Sequence, residues 1–268
     1  MWYNTAMQTG ISTASLFPRL ATEDALIKIM SLGAECAEVF FSTFYEYRPE
    51  FSKPLAARIN NFPVNSVHVI SVNFESNFFN PSRRVRGDGM YWLDQLLRSA
   101  QLLGCKNYTF HGFHRLHGGA GDDFNALAAR LGEVLAFASR YGVSVNLENV
   151  SWSLYNRPGV FSQLKERLPA LRGVFDIKQA RRSHYPWQAY LKDMAGSIEY
   201  VHLSDVDENG RMCLPGRGVF NFGELYRALK DAGFAGNALI EAYGDDYGDT
   251  DELARSVEYL KELAYKIF

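Results

Sequence analysis

The stretch YGVSVNLENV, residues 141–150, carries the reading of the fold. A helical pattern, FNALAARLGEVLAFASRY, leads into it with apolar residues at i, i+3, i+4 and i+7. Gly142 stands where such a helix ends in the left-handed conformation, which glycine adopts without a Cβ penalty. The residues after it alternate: Val143, Val145 and Leu147 share one face, Asn146 and Glu148 the other. Helix, glycine and short buried strand together make part of a βα repeat.

The pattern recurs in both directions along the chain. LGAECAEVFF at 32–41, LGCKNYTFHG at 103–112 and AGFAGNALIEAY at 232–243 each place a helix-ending glycine (Gly33, Gly104, Gly233) before an apolar run. GISTASL at 10–16, SVHVIS at 66–71, RGVFDI at 172–177 and SIEYVHLSD at 197–205 bring the candidate strands to eight. Helical patterns lie between them, clearest in ATEDALIKIMSLG, in MYWLDQLLRSAQLL at 90–103, and in GDTDELARSVEYLKELAYKI at 248–267. Eight α/β units in 268 residues average roughly 34 residues each, near the ~250 residues typical of a (β/α)8 barrel. The expectation is a single TIM barrel over residues 1–268. No G-x-G-x-x-G follows the first strand, so an open dinucleotide-binding sheet has no supporting motif.

Composition narrows the function classes. A chain with 47% hydrophobic and 22% charged residues is ordinary globular material. Its net charge of −2 lacks the basic surplus of a phosphate-tracking surface, which disfavours nucleic acid as a partner. Cys36, Cys105 and Cys213 have no C-x-x-C spacing, so neither a disulfide framework nor a thiolate zinc site is supported. The opening MWYNTAMQTGISTASLF lacks the basic and apolar regions of a signal peptide, and no apolar run is long enough to span a bilayer. A cytoplasmic protein with no membrane partner is the expectation. Aromatic residues reach 14%, with 19 Phe and 15 Tyr, more than core filling requires.

A barrel gathers its active site at the carboxyl ends of its strands. Those ends here carry His68, His111, Glu148, Asp176, His202 and Glu241, one per strand from the third to the eighth. Val174 aligns with Asp176, Tyr200 with His202 and Leu239 with Glu241, so the polar residues share the inward face. Buried carboxylates are rarely left unpaired. Three converging at ~4 Å would repel by about 4 kcal/mol per pair at an effective dielectric near 20. Either protons or a cation must sit among them. Three carboxylates and one imidazole suit one divalent ion, with Mn, Mg, Co and Zn not separated by ligand type.

The whole chain, most specifically its second half, resembles the xylose isomerase-like barrels, a family of sugar epimerases, hydroxypyruvate isomerases and inosose dehydratases related to apurinic endonucleases. LENVSW at 147–152, VFDIKQA at 174–180, YVHLSD at 200–205, PGRGVFNF at 215–222 and ALIEAY at 238–243 look like its strand-end motifs, in family order. The resemblance places metal ligands on Glu148, Asp176, His202 and Glu241. It departs from the pattern at Gln179, where many members have histidine, and at Gly210 and Met212, where three-zinc endonucleases have a D-x-H. A trinuclear cluster is therefore not expected.

The chemistry this resemblance implies is a 1,2-proton transfer on a sugar or polyol through an enediolate, with Glu148 and Glu241 as the acid/base pair. His68, His111, Trp152, Gln179 and Arg217 would contact substrate. Dehydration of a cyclitol is a variant that starts from the same proton abstraction. An endonuclease-type metal phosphodiesterase and a non-catalytic sugar-binding barrel are the alternatives, and a homodimer is compatible with either. His114 and His117, in HGFHRLHGGAGDD, fall in a glycine-rich loop expected to be solvated. Lys178, Arg181, Arg182 and His184 follow strand 6 as a basic run, either attracting an acidic substrate or balancing the acidic cluster. RVRG at 84–87 reads as a solvated approach to a helix. Most aromatic residues follow strands, which would ring the mouth of the pocket with them.

Overall fold

The computed structural model describes residues 7–70, 73–115 and 122–268. Strands β1 (Thr9–Ser12), β2 (Cys36–Phe41), β3 (Val64–Val69), β4 (Asn107–Phe110), β5 (Ser144–Glu148), β6 (Arg172–Asp176), β7 (Ile198–Leu203) and β10 (Asn237–Ile240) form a closed parallel barrel. Its order is β1-β10-β7-β6-β5-β4-β3-β2, so the first and last strands pair and close the ring. This is the (β/α)8 architecture expected from the repeat. A two-residue hairpin, β8 (Asp205–Val206) with β9 (Met212–Cys213), decorates the loop after β7.

The helices around the ring include α1 (Thr22–Ser31), α2 (Pro49–Ile59), α3 (Arg83–Leu102), α4 (Phe124–Ser139), α5 (Val160–Lys165), α6 (Ile177–Arg182), α7 (Trp187–Asp193), α8 (Phe222–Asp231) and α9 (Asp251–Ile267). Gly33, Gly104, Gly142 and Gly233 all have φ between 68° and 78°, the left-handed stop expected of them. Two boundaries differ from the sequence reading. GISTASL is strand only to Ser12, whose hydroxyl accepts the Ala14 N–H and starts a 3-10 turn over Thr13–Leu16. RVRG is the first turn of α3 itself. Among the described residues no helix is long and apolar enough to cross a membrane.

Strand alternation divides the interior into tiers. Outward residues such as Val143, Val145 and Leu147 join the main core between sheet and helices. Inward, Cys36, Val174, Tyr200 and Leu239 form a separate apolar cluster inside the ring. Gly10 admits that tier, because a Cβ there would lie 2.5 Å from the Cys36 carbonyl oxygen. Two residues further along the same strands stand Glu38, Asp176, His202 and Glu241, all buried. The apolar tier is the floor on which a polar tier sits at the barrel mouth.

Candidate active site

Glu148, Asp176, His202 and Glu241 converge as their strand positions demand. Each offers one donor atom, and the four donors lie within 4.8 Å of one another. His202 Nδ1 is 3.1 Å from Glu148 Oε1 and 3.7 Å from Glu241 Oε2. Asp176 ends β6 and caps α6: its Oδ1 accepts the Gln179 N–H at 2.9 Å. Asn149 clasps the same residue, accepting its N–H at 2.7 Å and donating to its carbonyl at 2.9 Å. Asp176 Oδ2, by contrast, is buried with no hydrogen-bond donor among the described residues. Glu148 Oε2 also makes no well-aligned hydrogen bond, although His111 Nε2 approaches to 2.9 Å.

The electrostatics follow from burial set against neighbours. Burial, reinforced by Glu148 and Glu241 and opposed by Lys178, pushes Asp176 up to about 8. Burial acts the same way on Glu148, but His202 and His111 outweigh it and hold the carboxyl well below its usual range. Burial would depress His111, yet Glu148 and Glu75 raise it to about 10. The protein groups thus leave Asp176 protonated near neutrality, its own Oδ2 and Glu148 Oε2 both without a well-aligned donor among the described residues. A divalent cation would take the place of that proton. Three oxygens and one imidazole nitrogen form a donor set suited to Mn, Mg, Co or Zn, so the residues present fit one divalent ion.

Sequence reasoning passed over two charged residues here and misplaced a third. Glu38, on β2, lies fully buried beneath the cluster. Its carboxylate accepts from Ser12 Oγ at 2.9 Å, Ser66 Oγ at 2.8 Å and Thr109 Oγ1 at 2.5 Å. It also meets His68 Nδ1 and His202 Nε2, each at 3.2 Å. Glu75, in a 3-10 turn after β3, accepts the Tyr108 hydroxyl and the N–H groups of His111 and Gly112. Lys178, read as part of a basic run at the mouth, is instead buried against Glu241. Of the three, only Glu38 carried the signal used for Glu148, a charge inside an apolar run, and nothing in that run names its partners.

Above the cluster lies a cavity of about 440 Å³, lined by Phe40, His68, His111, His114, Glu148, Trp152, Gln179, Glu241 and Tyr243 among others. That volume lies within the usual range for small-molecule sites. His68, His111, Trp152 and Gln179 all line this cavity. His68 Nε2 faces His111 Nε2 at 3.0 Å, and the Gln179 side-chain oxygen accepts the Ser151 hydroxyl at 3.2 Å.

Arg217 does not reach the cavity. The PGRG turn is built around Asp205, whose carboxylate accepts the N–H groups of Val206, Gly216, Gly218 and Phe220. That wrapping points Arg217 outward to Glu252 at 2.7 Å, with 53% of its side chain exposed. His114 departs from its solvated reading, stacking on Trp152 with ring centres 4.2 Å apart. His117 lies outside the described residues. The aromatic ring is also smaller than expected: Phe41, Tyr47, Phe74, Phe110 and Tyr155 are buried in the core, leaving Phe17, Phe40, Trp152 and Tyr243 on the cavity wall.

Residues 26–263 match the model of the xylose isomerase-like TIM barrels. The chain belongs to that family. Solved structures of the same fold include a D-tagatose 3-epimerase-like protein, 19% identical, with a TM-score of 0.79 over 97% of this chain and 98% of that one. An L-ribulose 3-epimerase is 20% identical, TM-score 0.78, over 97% and 95%. The D-psicose 3-epimerase of Clostridium cellulolyticum H10 is 16% identical, TM-score 0.78, over 97% and 99%. No curated protein sequence matches this chain significantly. The xylose isomerase-like barrel accounts for the closed ring of eight parallel strands.

Proposed function

We propose that the protein is a metal-dependent sugar isomerase or epimerase, with Glu148 and Glu241 as its acid/base pair. The observation that carries this is that both carboxylates line one sugar-sized cavity while converging on Asp176 and His202 beneath it. Sugar epimerases among the solved structures of this fold support the substrate class. When bound by Glu148, Asp176, His202 and Glu241, the ion would polarise a substrate carbonyl and acidify the neighbouring C–H.

The chain's own groups supply the rest. Glu148, ionised beside His202 and His111 and lining the cavity, is placed to accept the proton. Glu241, from the strand across the mouth, delivers a solvent-derived proton to the other side of the substrate, and exchange with water resets both carboxylates. His68 and His111 contact substrate oxygens from the β3 and β4 side, and Trp152 and Phe40 exclude water and pack on the C–H face of the sugar.

Deuterium incorporation into a panel of ketoses in D2O, with elemental analysis of the purified protein, tests the reading. Glu148→Gln and Glu241→Gln should each lower turnover by about 10²–10⁴-fold with the fold intact by circular dichroism. Full activity in both variants would sink the assignment.

A specific feature favours a second reading. His68, His111 and Glu148 also bring three donor atoms within 4.8 Å, sharing Glu148 with the first cluster. Two ions per chain with cleavage of abasic DNA would support a phosphodiesterase, whereas one ion with proton exchange into a ketose supports the epimerase. Absence of both metal and exchange would leave a sugar-binding barrel.

A further inference from the structure

Lys178 is the second residue of α6, and its side chain has no exposure to solvent. Its ammonium lies 3.1 Å from Glu241 Oε2, 3.3 Å from the Glu241 carbonyl oxygen and 4.0 Å from Asp176 Oδ2. It also sits 4.1 Å from the centre of the Tyr243 ring, in a cation–π contact. The local fold dictates this placement. Asp176 caps α6 as the last residue of β6, so the first turn of the helix starts at the barrel mouth and carries Lys178 back over it.

A buried ammonium persists only where its charge is matched. Glu148, Asp176 and Glu241 carry three negative charges when ionised. A divalent ion would neutralise two, and the ammonium the third. Glu241 is the carboxylate nearest to that ammonium, while Asp176 Oδ2 has no hydrogen-bond donor among the described residues.

We infer that Lys178 is a second, covalently tethered cation of the metal site, dividing Glu241 with the divalent ion and leaving Glu148, Asp176 and His202 as the ion's undivided ligands. The inference rests on the metal-dependent reading above. Its consequence is a metal held less tightly than these four ligands alone would hold it. A further consequence is a Glu241 fixed by Lys178 through Oε2, with Oε1 turned to His68 Nδ1 at 3.5 Å.

The test is titration of metal-stripped wild type and Lys178→Met with Mn²⁺ alone, followed by the loss of the free-ion electron paramagnetic resonance signal. Methionine keeps the length of the side chain and removes the charge. The expected result is binding about tenfold tighter in Lys178→Met, because a like charge beside the ion is gone. Lys178→Gln, which keeps a hydrogen-bond donor without the charge, should tighten binding similarly. Unchanged or weaker binding in a folded variant, with wild type binding Mn²⁺ normally, overturns the inference and leaves the metal-dependent reading standing.

Binding by the variants but not by wild type supports the competition. If none of the three proteins takes the ion, both readings fall. Should neither variant fold, a crystal structure of Mn²⁺-loaded wild type decides. Lys178 Nζ within hydrogen-bond distance of Glu241 supports the inference, and Lys178 displaced from the cluster overturns it.

Discussion

At the scale of single residues, Glu38 bears most on the histidines. One imidazole nitrogen of His68 and one of His202 point to its two oxygens, so Glu38 sets which nitrogen of each ring faces the cluster. A carboxylate behind a metal-binding imidazole orients the ring and raises its basicity. Glu38→Gln should weaken Mn²⁺ binding about 10–100-fold, read by titration, and unchanged affinity would refute this positioning role. Glu38→Ala should cost roughly 3–5 kcal/mol in urea unfolding, because two imidazoles and three hydroxyls lose a buried acceptor. The four strand-end donors were legible because each ends an apolar run in a repeated unit. Glu38 was not, since its partners Ser12, Ser66 and Thr109 come from three other strands and only the barrel register collects them. Lys178 was misplaced for a related reason: a charge in a basic run is solvated by default, and only the start of α6 turns it inward.

At the scale of elements, the wall made by the loops after β4 and β5 depends on one carboxylate. Asp122 pairs with Arg115 at 2.7 Å and Arg157 at 2.8 Å. Arg115 in turn donates to the carbonyls of Trp152, Ser153 and Leu154, which seats Trp152 against His114. Asp122→Asn removes the charge-assisted bonds, worth about 1–3 kcal/mol, and loosens the aromatic wall. The expected kinetic signature is a raised KM, about tenfold, with a much smaller change in kcat; an unchanged KM would show that the wall stands without the pair. Burial pushes the Asp122 carboxyl up, but the two guanidinium partners outweigh it and hold it below the usual range. The stabilisation is therefore complete above an ordinary Asp pKa of about 4 and is lost only as pH falls below that. Nothing in the sequence couples Asp122 to Arg157 across 35 positions. The loop reads as solvated until the fold brings the two ends together.

At the scale of the whole molecule, the barrel itself was the most legible feature, because helix, glycine and strand repeat locally and closure follows from the count. The polar tier inside it makes stability depend on pH and, on the metal-dependent reading, on the ion as well. Glu38 and Glu148 have lowered pKa values, so their contributions are complete above the ordinary Glu range and are lost as pH falls through their folded values. Asp176, raised to about 8, and His111, raised to about 10, act in the opposite sense. Their contributions are complete below the unfolded pKa values of about 3.9 and 6.5, and are lost as pH rises through 8 and then 10. The metal-stripped protein should therefore be most stable in mildly acidic solution and melt at progressively lower temperature from pH 6 to 9. On the metal-dependent reading a divalent ion would replace the proton on Asp176, and its binding would strengthen as proton competition falls. The rise in Tm on adding Mn²⁺ should accordingly be small at pH 6 and grow toward pH 9, measured by calorimetry at fixed ion concentration. A rise of equal size at every pH would mean that Asp176 is already ionised in the stripped protein, with Lys178 alone balancing the cluster.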